Sequence, residues 1–116
     1  MFPKVFKVIS TNDVKVIVGT RIGRHGEVSA TETKPYITWQ IVADDPQLQL
    51  SGKPCTNFTA IQIDCYHSTD AGIEQLAVAV RAALDAARVA NRVVIDARDT
   101  ETRLYRVGLQ ADFIGL

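Results

Sequence analysis

The chain has 116 residues, 47% hydrophobic and 22% charged, which suits one soluble domain with an ordinary core and leaves too little for a second. Thirteen basic and thirteen acidic side chains cancel, so the general field that grips nucleic acid without regard to sequence is not expected. No apolar run approaches the ~20 residues of a membrane span. Met1-Phe2-Pro3-Lys4 leads into alternating charged and apolar residues, without the continuous apolar segment of a secretory signal. No membrane role and no export are therefore expected.

Taken in order, Pro3 to Ser10 and Asn12 to Val18 are expected as two short helices. Proline is tolerated in a first turn, Asn12 can cap the second helix, and Gly19 offers a C-terminal stop. The β-branched residues Val14, Val16, Ile17 and Val18 favour a strand by propensity. They crowd both faces of the segment, however, and do not alternate cleanly. Thr20-Arg21-Ile22 is expected as a short strand. Gly23 to Lys34 carries only Val28 and Ala30 as apolar residues, which predicts a mobile arm or an exposed hairpin.

Pro35 ends the arm, and Tyr36 to Val42 alternates with Ile37, Trp39 and Ile41 on one face, a strand pattern. Ala43 to Asn57 contains Pro46, Gly52 and Pro54, which deny regular structure. Leu48 and Leu50 interrupt its polarity and are either tucked onto the domain or offered to a partner. In Ala60 to Tyr66, Ile61, Ile63 and Cys65 share one face, while Ala60, Gln62, Asp64 and Tyr66 share the other.

The longest helix follows. Ser68 or Thr69 can cap it, with Asp70 and Glu74 near the positive end of its dipole. Ile73, Leu76, Ala77, Val80, Leu84 and Ala87 recur at spacings of three and four as one apolar stripe. Asn91 is expected to adopt a left-handed conformation at the helix end. Val93-Val94-Ile95 then forms a short strand, Asp96 to Thr102 a polar turn, and Arg103 to Phe113 a final strand. In that strand Tyr105, Val107, Leu109, Ala111 and Phe113 make the apolar face.

The expected fold is α+β: a small, mostly antiparallel sheet of about four strands near 36–42, 59–66, 93–95 and 103–113, with one long helix packed across it and short N-terminal helices. Directly successive strands favour antiparallel pairing within each couple, and the long helix crosses between couples. The outer strands near 20–22 and 93–95 have nothing else in the chain to cover them.

Chemical motifs are sparse. Gly19 and Gly23 are wrongly spaced for a phosphate loop, and no Lys-Ser or Lys-Thr follows in frame. The two cysteines, Cys55 in a loop and Cys65 facing the core, fit a reducing compartment. Together with His25 and His67 they lack the spacing of a zinc site. Cys65 and His67 alternate on one strand and do not face each other as a nucleophile and base must. Asp96, Asp99 and Glu101 are interleaved with Arg98 and Arg103, the pattern of a solvated turn more than of a cation site. Arg103 and Arg106 flank Tyr105, an arrangement that would suit a phosphate-bearing partner, but without a matching basic surplus they are more simply strand-face charges. No enzyme activity, no cofactor and no metal are expected.

Five strings resemble a known family in order and spacing: Pro35-Tyr36-Ile37-Thr38-Trp39-Gln40, Leu50-Ser51-Gly52, Gln62-Ile63-Asp64-Cys65-Tyr66, the Ala-rich helix around Val80-Arg81-Ala82-Ala83-Leu84, and Thr102-Arg103-Leu104-Tyr105-Arg106. They look like the tail completion (tail terminator) proteins of long-tailed bacteriophages and prophages, from about residue 3 to 113. The resemblance implies a single structural domain over 1–116 and a homo-oligomer, a hexamer once on the tail. Such a ring caps the head-proximal end of the tube, stops its growth and presents a surface for the filled head. Implied partners are the tail tube protein and the head-tail connector proteins, with DNA passing through without specific binding. The implied location is the virion, after a period in the host cytoplasm.

The family carries no catalytic residues to transfer. Candidate subunit or tail contacts are Arg24, His25 and Glu27 in the arm, Leu48, Leu50 and Lys53 in the loop, and Arg103 and Arg106 on the last strand. A sphere of this length has a radius of gyration of about 13 Å, and six such bodies in a ring leave a hole about as wide as one subunit, room for a duplex. A head-side neck protein is the neighbouring alternative. A small cytoplasmic ligand-binding module or enzyme is the alternative of a different class, which a deep pocket with convergent polar groups would favour.

Overall fold

Residues with a period of two and residues with a period near 3.6 meet across a single interface between a sheet and a layer of helices. The computed structural model describes residues 5–19, 21–24, 35–45, 58–98 and 103–114. In chain order these form α1 (Val5–Ile9), α2 (Asn12–Val18), β1 (Ile22–Arg24), β2 (Tyr36–Asp45), β3 (Phe58–His67), α3 (Asp70–Ala86), β4 (Ala90–Arg98) and β5 (Tyr105–Ile114). Among the described residues the sheet has five strands in the order β1-β2-β3-β5-β4. β1 pairs with β2 in parallel, and the other three pairings are antiparallel. β3 and β4 therefore run the same way with β5 between them, and α3 makes the crossover that joins them.

One sheet face is dry because every second residue on it is apolar. Ile37, Ile61, Ile63, Cys65, Leu109 and Ala111 are fully buried there, opposite Val5, Ile9, Val14 and Val18 from the short helices and Leu76, Val80 and Leu84 from α3. That is the α3 stripe expected from its spacing, with Ala83 added and Ala87 exposed. Each of these branched side chains contributes roughly 1.5–3 kcal/mol by leaving water. Thr69 caps α3, its hydroxyl accepting from the Gly72 amide at 3.0 Å. Gly19 ends α2 with φ 61°, a conformation that favours glycine, and its amide donates to the Lys15 carbonyl at 2.8 Å. No helix among the described residues is long and apolar enough to cross a membrane.

The α+β class and the antiparallel couples stand, with five strands in place of about four. β1 lies two residues later than expected, so Gly23 and Arg24 belong to a strand and not to an arm. β2 runs on through Ala43 to Asp45, which the two prolines beyond had suggested was loop. β4 has nine residues where three were expected, and it takes in Asp96 to Arg98 from the supposed turn. As an edge strand it has no need to alternate, because only one of its sides pairs and most of its side chains meet solvent. α3 stops at Ala86. The left-handed residue after it is Arg88, with φ 59°, and not Asn91. Thr11, not Asn12, is the N-cap of α2. Arg103 lies before β5 with φ 61°. The molecule is also less spherical than assumed, with a radius of gyration of 14.8 Å and extents of 49 × 28 × 22 Å.

Candidate functional site

The sheet face turned away from the helices carries the polar half of each alternating strand. Gln40, Gln62, Gln110 and Arg92 occupy one row across β2, β3, β5 and β4, and Thr38, Asp64, Gly108 and Ile95 the next. Asp64 is only 1% exposed although it faces away from the core. Its Oδ2 lies 3.1 Å from Arg106 Nη2, and its Oδ1 accepts from Gln62 Nε2 at 3.1 Å.

Gly108 makes room for this carboxylate. A Cβ there would lie 3.0 Å from Asp64 Oδ1 and 3.1 Å from Ile95 Cβ. Tyr66 stacks on Tyr36 with ring centroids 4.4 Å apart, and the Arg106 guanidinium carbon lies 5.9 Å from the Tyr66 ring centre. Thr38 Oγ1 and Arg106 Nε are buried without a hydrogen-bond partner among the described residues. Farther along the face Arg92 reaches Asp112 at 3.9 Å. The described part of this face is thus amide-rich, aromatic and balanced in charge.

The two ends of the sheet differ. β1 is three residues long, with Arg21 just before it and Arg24 at its end. Arg21 Nε donates to the Pro35 carbonyl at 2.7 Å, and the Arg24 guanidinium carbon lies 5.1 Å from the Trp39 ring centre. β4 at the other end carries a bulge: Val93 pairs with Leu109 and Ile95 with Gly108, so Val94 is the extra residue. Val93 and Val94 are 46% and 44% exposed.

Between β4 and α3 runs a groove of about 320 Å³ with Ile73, Val78 and Val93 in its lining and Asp70, Glu74 and Asp96 as its acids. Arg81 is the basic residue of that lining, and its Nε donates to Asn91 Oδ1 at 2.8 Å. Asn91 Nδ2 in turn donates to Asp85 Oδ1, tying the helix to the edge strand. A second groove, between α2 and α3, is lined by Val16, Ile17, Val78 and Ala82. Val16 and Val78 are 85% and 67% exposed, large values for valine.

Cys65 and His67 do separate things. Burial pushes the Cys65 thiol far above its ordinary value, and the neighbouring Asp64 charge adds to this. It is a protonated core residue. His67 Nδ1 accepts from the Thr69 backbone amide at 3.1 Å, and its ring lies where a side chain on Gly72 would otherwise be. Desolvation lowers the His67 pKa below the usual value. The histidine belongs to the start of α3 and does not stand in open solvent.

Of the candidate contacts, Arg24 lies at the β1 edge and Arg106 within the Asp64 cluster, while Arg103 precedes β5 and is exposed. These three are not brought together: Arg24 is on the helix side of the sheet, beside Trp39, and Arg106 on the other. His25, Glu27, Leu48, Leu50 and Lys53 lie outside the described residues, as does most of the expected arm and loop. The exposure of Val16, Val78, Val93 and Val94 was not foreseen, because an apolar residue on the outer side of a helix or an edge strand does not show in the sequence which side it faces.

The family profile described as Tail completion protein gp17 matches residues 5–114. A solved chain from a structure described as the virion of a native gene transfer agent (GTA) particle superposes with a TM-score of 0.60 at 16% identity, over 96% of this chain and 92% of that one. That likeness is one of fold. No curated protein sequence matches the chain.

Proposed function

The chain belongs to the tail completion protein gp17 family, whose profile spans residues 5–114, and is a structural protein of a phage-type tail; from that premise we propose that it closes the head-proximal end of the tail as a ring. The ring ends tube growth and presents the surface on which the filled head docks. The family match carries this reading, and it takes the whole of 1–116 as one tail completion domain. Six copies in the virion, a tail tube protein beneath them and connector proteins above belong to the same proposal.

Two features of the molecule support it. Basic and acidic side chains balance over the chain, so there is no general excess of positive charge to hold a duplex and DNA would slide past it. In a closed ring of six, subunit centres lie one subunit width from the axis. With the 28 Å extent along the circumference and the 22 Å extent along the radius, the opening is roughly 34 Å, wide enough for duplex DNA. With those two directions exchanged it shrinks to roughly 16 Å, too narrow. The test is to add purified protein to growing tail tubes and image them. One occupied terminus per tube and arrested length are expected, whereas decoration along the walls or an unchanged length distribution would reject the reading.

A further inference from the structure

α3 is apolar on two of its sides. A surface helix ordinarily keeps one apolar stripe for the core and turns polar residues to water. At about 100° per residue, the buried residues Ile73, Leu76, Val80 and Leu84 take one side of α3, and the exposed charges Asp70, Glu74, Arg81 and Asp85 all fall within about 60° of one another on a second. The third side carries Ala71, Gln75, Val78, Ala82 and Ala86, exposed and uncharged. With Val16 and Ile17 of α2 it walls a groove of about 670 Å³.

The charged residues lining that groove are Asp13 and Glu74. Neither belongs to the ion pairs found among the described residues, Arg92 with Asp112 and Arg106 with Asp64. The neighbouring bases do not cancel them. Lys15 lies about 200° round α2 from Asp13, on the far side of that helix. Arg81 lines the other groove, beside β4, and its Nε is held by Asn91. The groove is therefore apolar and acidic.

The start of the chain is apolar and basic. Its first twelve residues hold Lys4 and Lys7 and no acid. On α1, Phe6 is 48% exposed, the one exposed aromatic side chain among the described residues. Lys7 is exposed next to it and enters none of the ion pairs named above. Neither residue lines the α2/α3 groove of its own copy.

Resting on the ring reading above, we infer that the subunit contact seats α1 of one copy in the α2/α3 groove of the next, with Phe6 against Val16 and Val78 and Lys7 toward Asp13 and Glu74. The occupant of the groove is a second copy of this chain. An aromatic anchor in an apolar pocket, with opposite charges at its rim, concentrates the binding energy in a few residues. Because α1 and the groove are different surfaces, the contact is heterologous, and it closes into a ring when its rotation fits.

Photo-crosslinking on tail tubes built from the particle's own tube protein reads the contact directly. With Phe6→p-benzoylphenylalanine, illumination of capped tubes gives covalent multimers of this chain, joined from position 6 to peptides within 12–18 or 70–86. Charge exchange reads it a second way. Lys7→Glu and Asp13→Lys/Glu74→Lys each reduce the occupancy of tube ends by about tenfold or more, since like charges then meet at every contact. The triple variant, in which the charges are exchanged, recovers to within about threefold of the unaltered protein. Circular dichroism checks that each variant is folded. Should a charge variant fail to fold, the crosslink decides, and should the benzophenone protein fail to cap, the charge exchange decides.

If the unaltered protein caps tubes but position 6 joins the tube protein, another part of the neighbour or only its own copy, the contact is wrong while capping stands. A triple variant no better than its parents has the same meaning. If the unaltered protein does not cap, the ring reading and this contact fall together.

Discussion

Arg106 and Asp64 face each other from neighbouring strands 3.1 Å apart, with the arginine side chain 34% exposed and the aspartate side chain 2% exposed. The pair joins β3 to β5 on the side of the sheet that has no helices. Removing the arginine leaves a carboxylate that is out of water, with the Gln62 amide as its side-chain donor among the described residues. Arg106→Met is expected to lower stability by about 2–4 kcal/mol, below the full cost of breaking a wholly buried pair because water reaches the arginine. The double variant Asp64→Asn/Arg106→Met should lose less than the sum of the two single losses. Urea titration of the four proteins measures this, and simple additivity would show that the two residues are not coupled.

Core and surface positions of α3 separate in the same assay. Leu76 is fully buried and Arg81 is exposed. Leu76→Ala should cost about 2–5 kcal/mol, and Arg81→Ala under about 1 kcal/mol despite its bond to Asn91. Equal losses would sink the assignment of the buried stripe.

Gly72 gives a sign test. Alanine is about 1 kcal/mol better than glycine inside a helix, yet a Cβ at position 72 would lie 2.1 Å from His67 Cε1. The ring must swing away and give up the Thr69 amide. Gly72→Ala is therefore expected to destabilise the natural protein and to stabilise a His67→Ala background, as read from thermal unfolding. The same sign in both backgrounds would mean that the contact carries no weight.

His67 also predicts a pH dependence. Desolvation lowers its pKa in the folded protein, so the unfolded chain binds the proton first as pH falls below about 6.5. The stability associated with the neutral ring is present above that value. It is lost progressively as pH falls from there to the lower, folded-state pKa. His67→Gln should flatten this part of the stability profile, and NMR titration of the ring should give a midpoint under the ordinary one. A midpoint at or above the ordinary value contradicts the prediction.

Val16 and Val78 are exposed on the helix layer and contribute little to the core. Val78 also lines the groove beside β4, so Val16 is the residue that reports on the α2/α3 groove alone; Val16→Ser should leave the urea midpoint nearly unchanged. If that groove is covered by another molecule in the capped tail, the variant should occupy fewer tube ends. Unimpaired capping would place the contact elsewhere on the molecule.

Much of the fold was legible because burial imposes a period. Ile37, Trp39 and Ile41, then Ile61, Ile63 and Cys65, then the stripe from Ile73 to Leu84 each announced an element and its inner face. Legibility failed where burial is one-sided or polar. Ala90 to Arg98 is a nine-residue strand with mostly exposed side chains, so nothing forces it to alternate. Ala87 and Val89 continue the apolar spacing past the true end of α3, and an arginine at the left-handed position carries none of the usual signal of glycine or asparagine. Asp64 was placed correctly on the polar face, but its burial there depends on Arg106, a residue far away in sequence. The Arg24 position was misread because the apolar-poor stretch from Gly23 onward was taken as an arm, whereas Gly23 is the middle of β1.

The three residues of β1 set a limit on how strongly two copies can hold each other along that edge. If a second copy were to add a strand along β1, a ladder no longer than that strand would supply only a few backbone hydrogen bonds, each worth about 1 kcal/mol net. Joining two free molecules costs several kcal/mol in lost translation and rotation. Two copies meeting in solution would soon part. Copies seated side by side on a symmetric tube end experience each other at an effective concentration in the millimolar range, and the last to arrive makes two such contacts at once. On the ring reading proposed above, so short a strand would make assembly conditional on its template: the protein would stay dispersed while tubes grow and become a closed collar only where a tube end holds six places open.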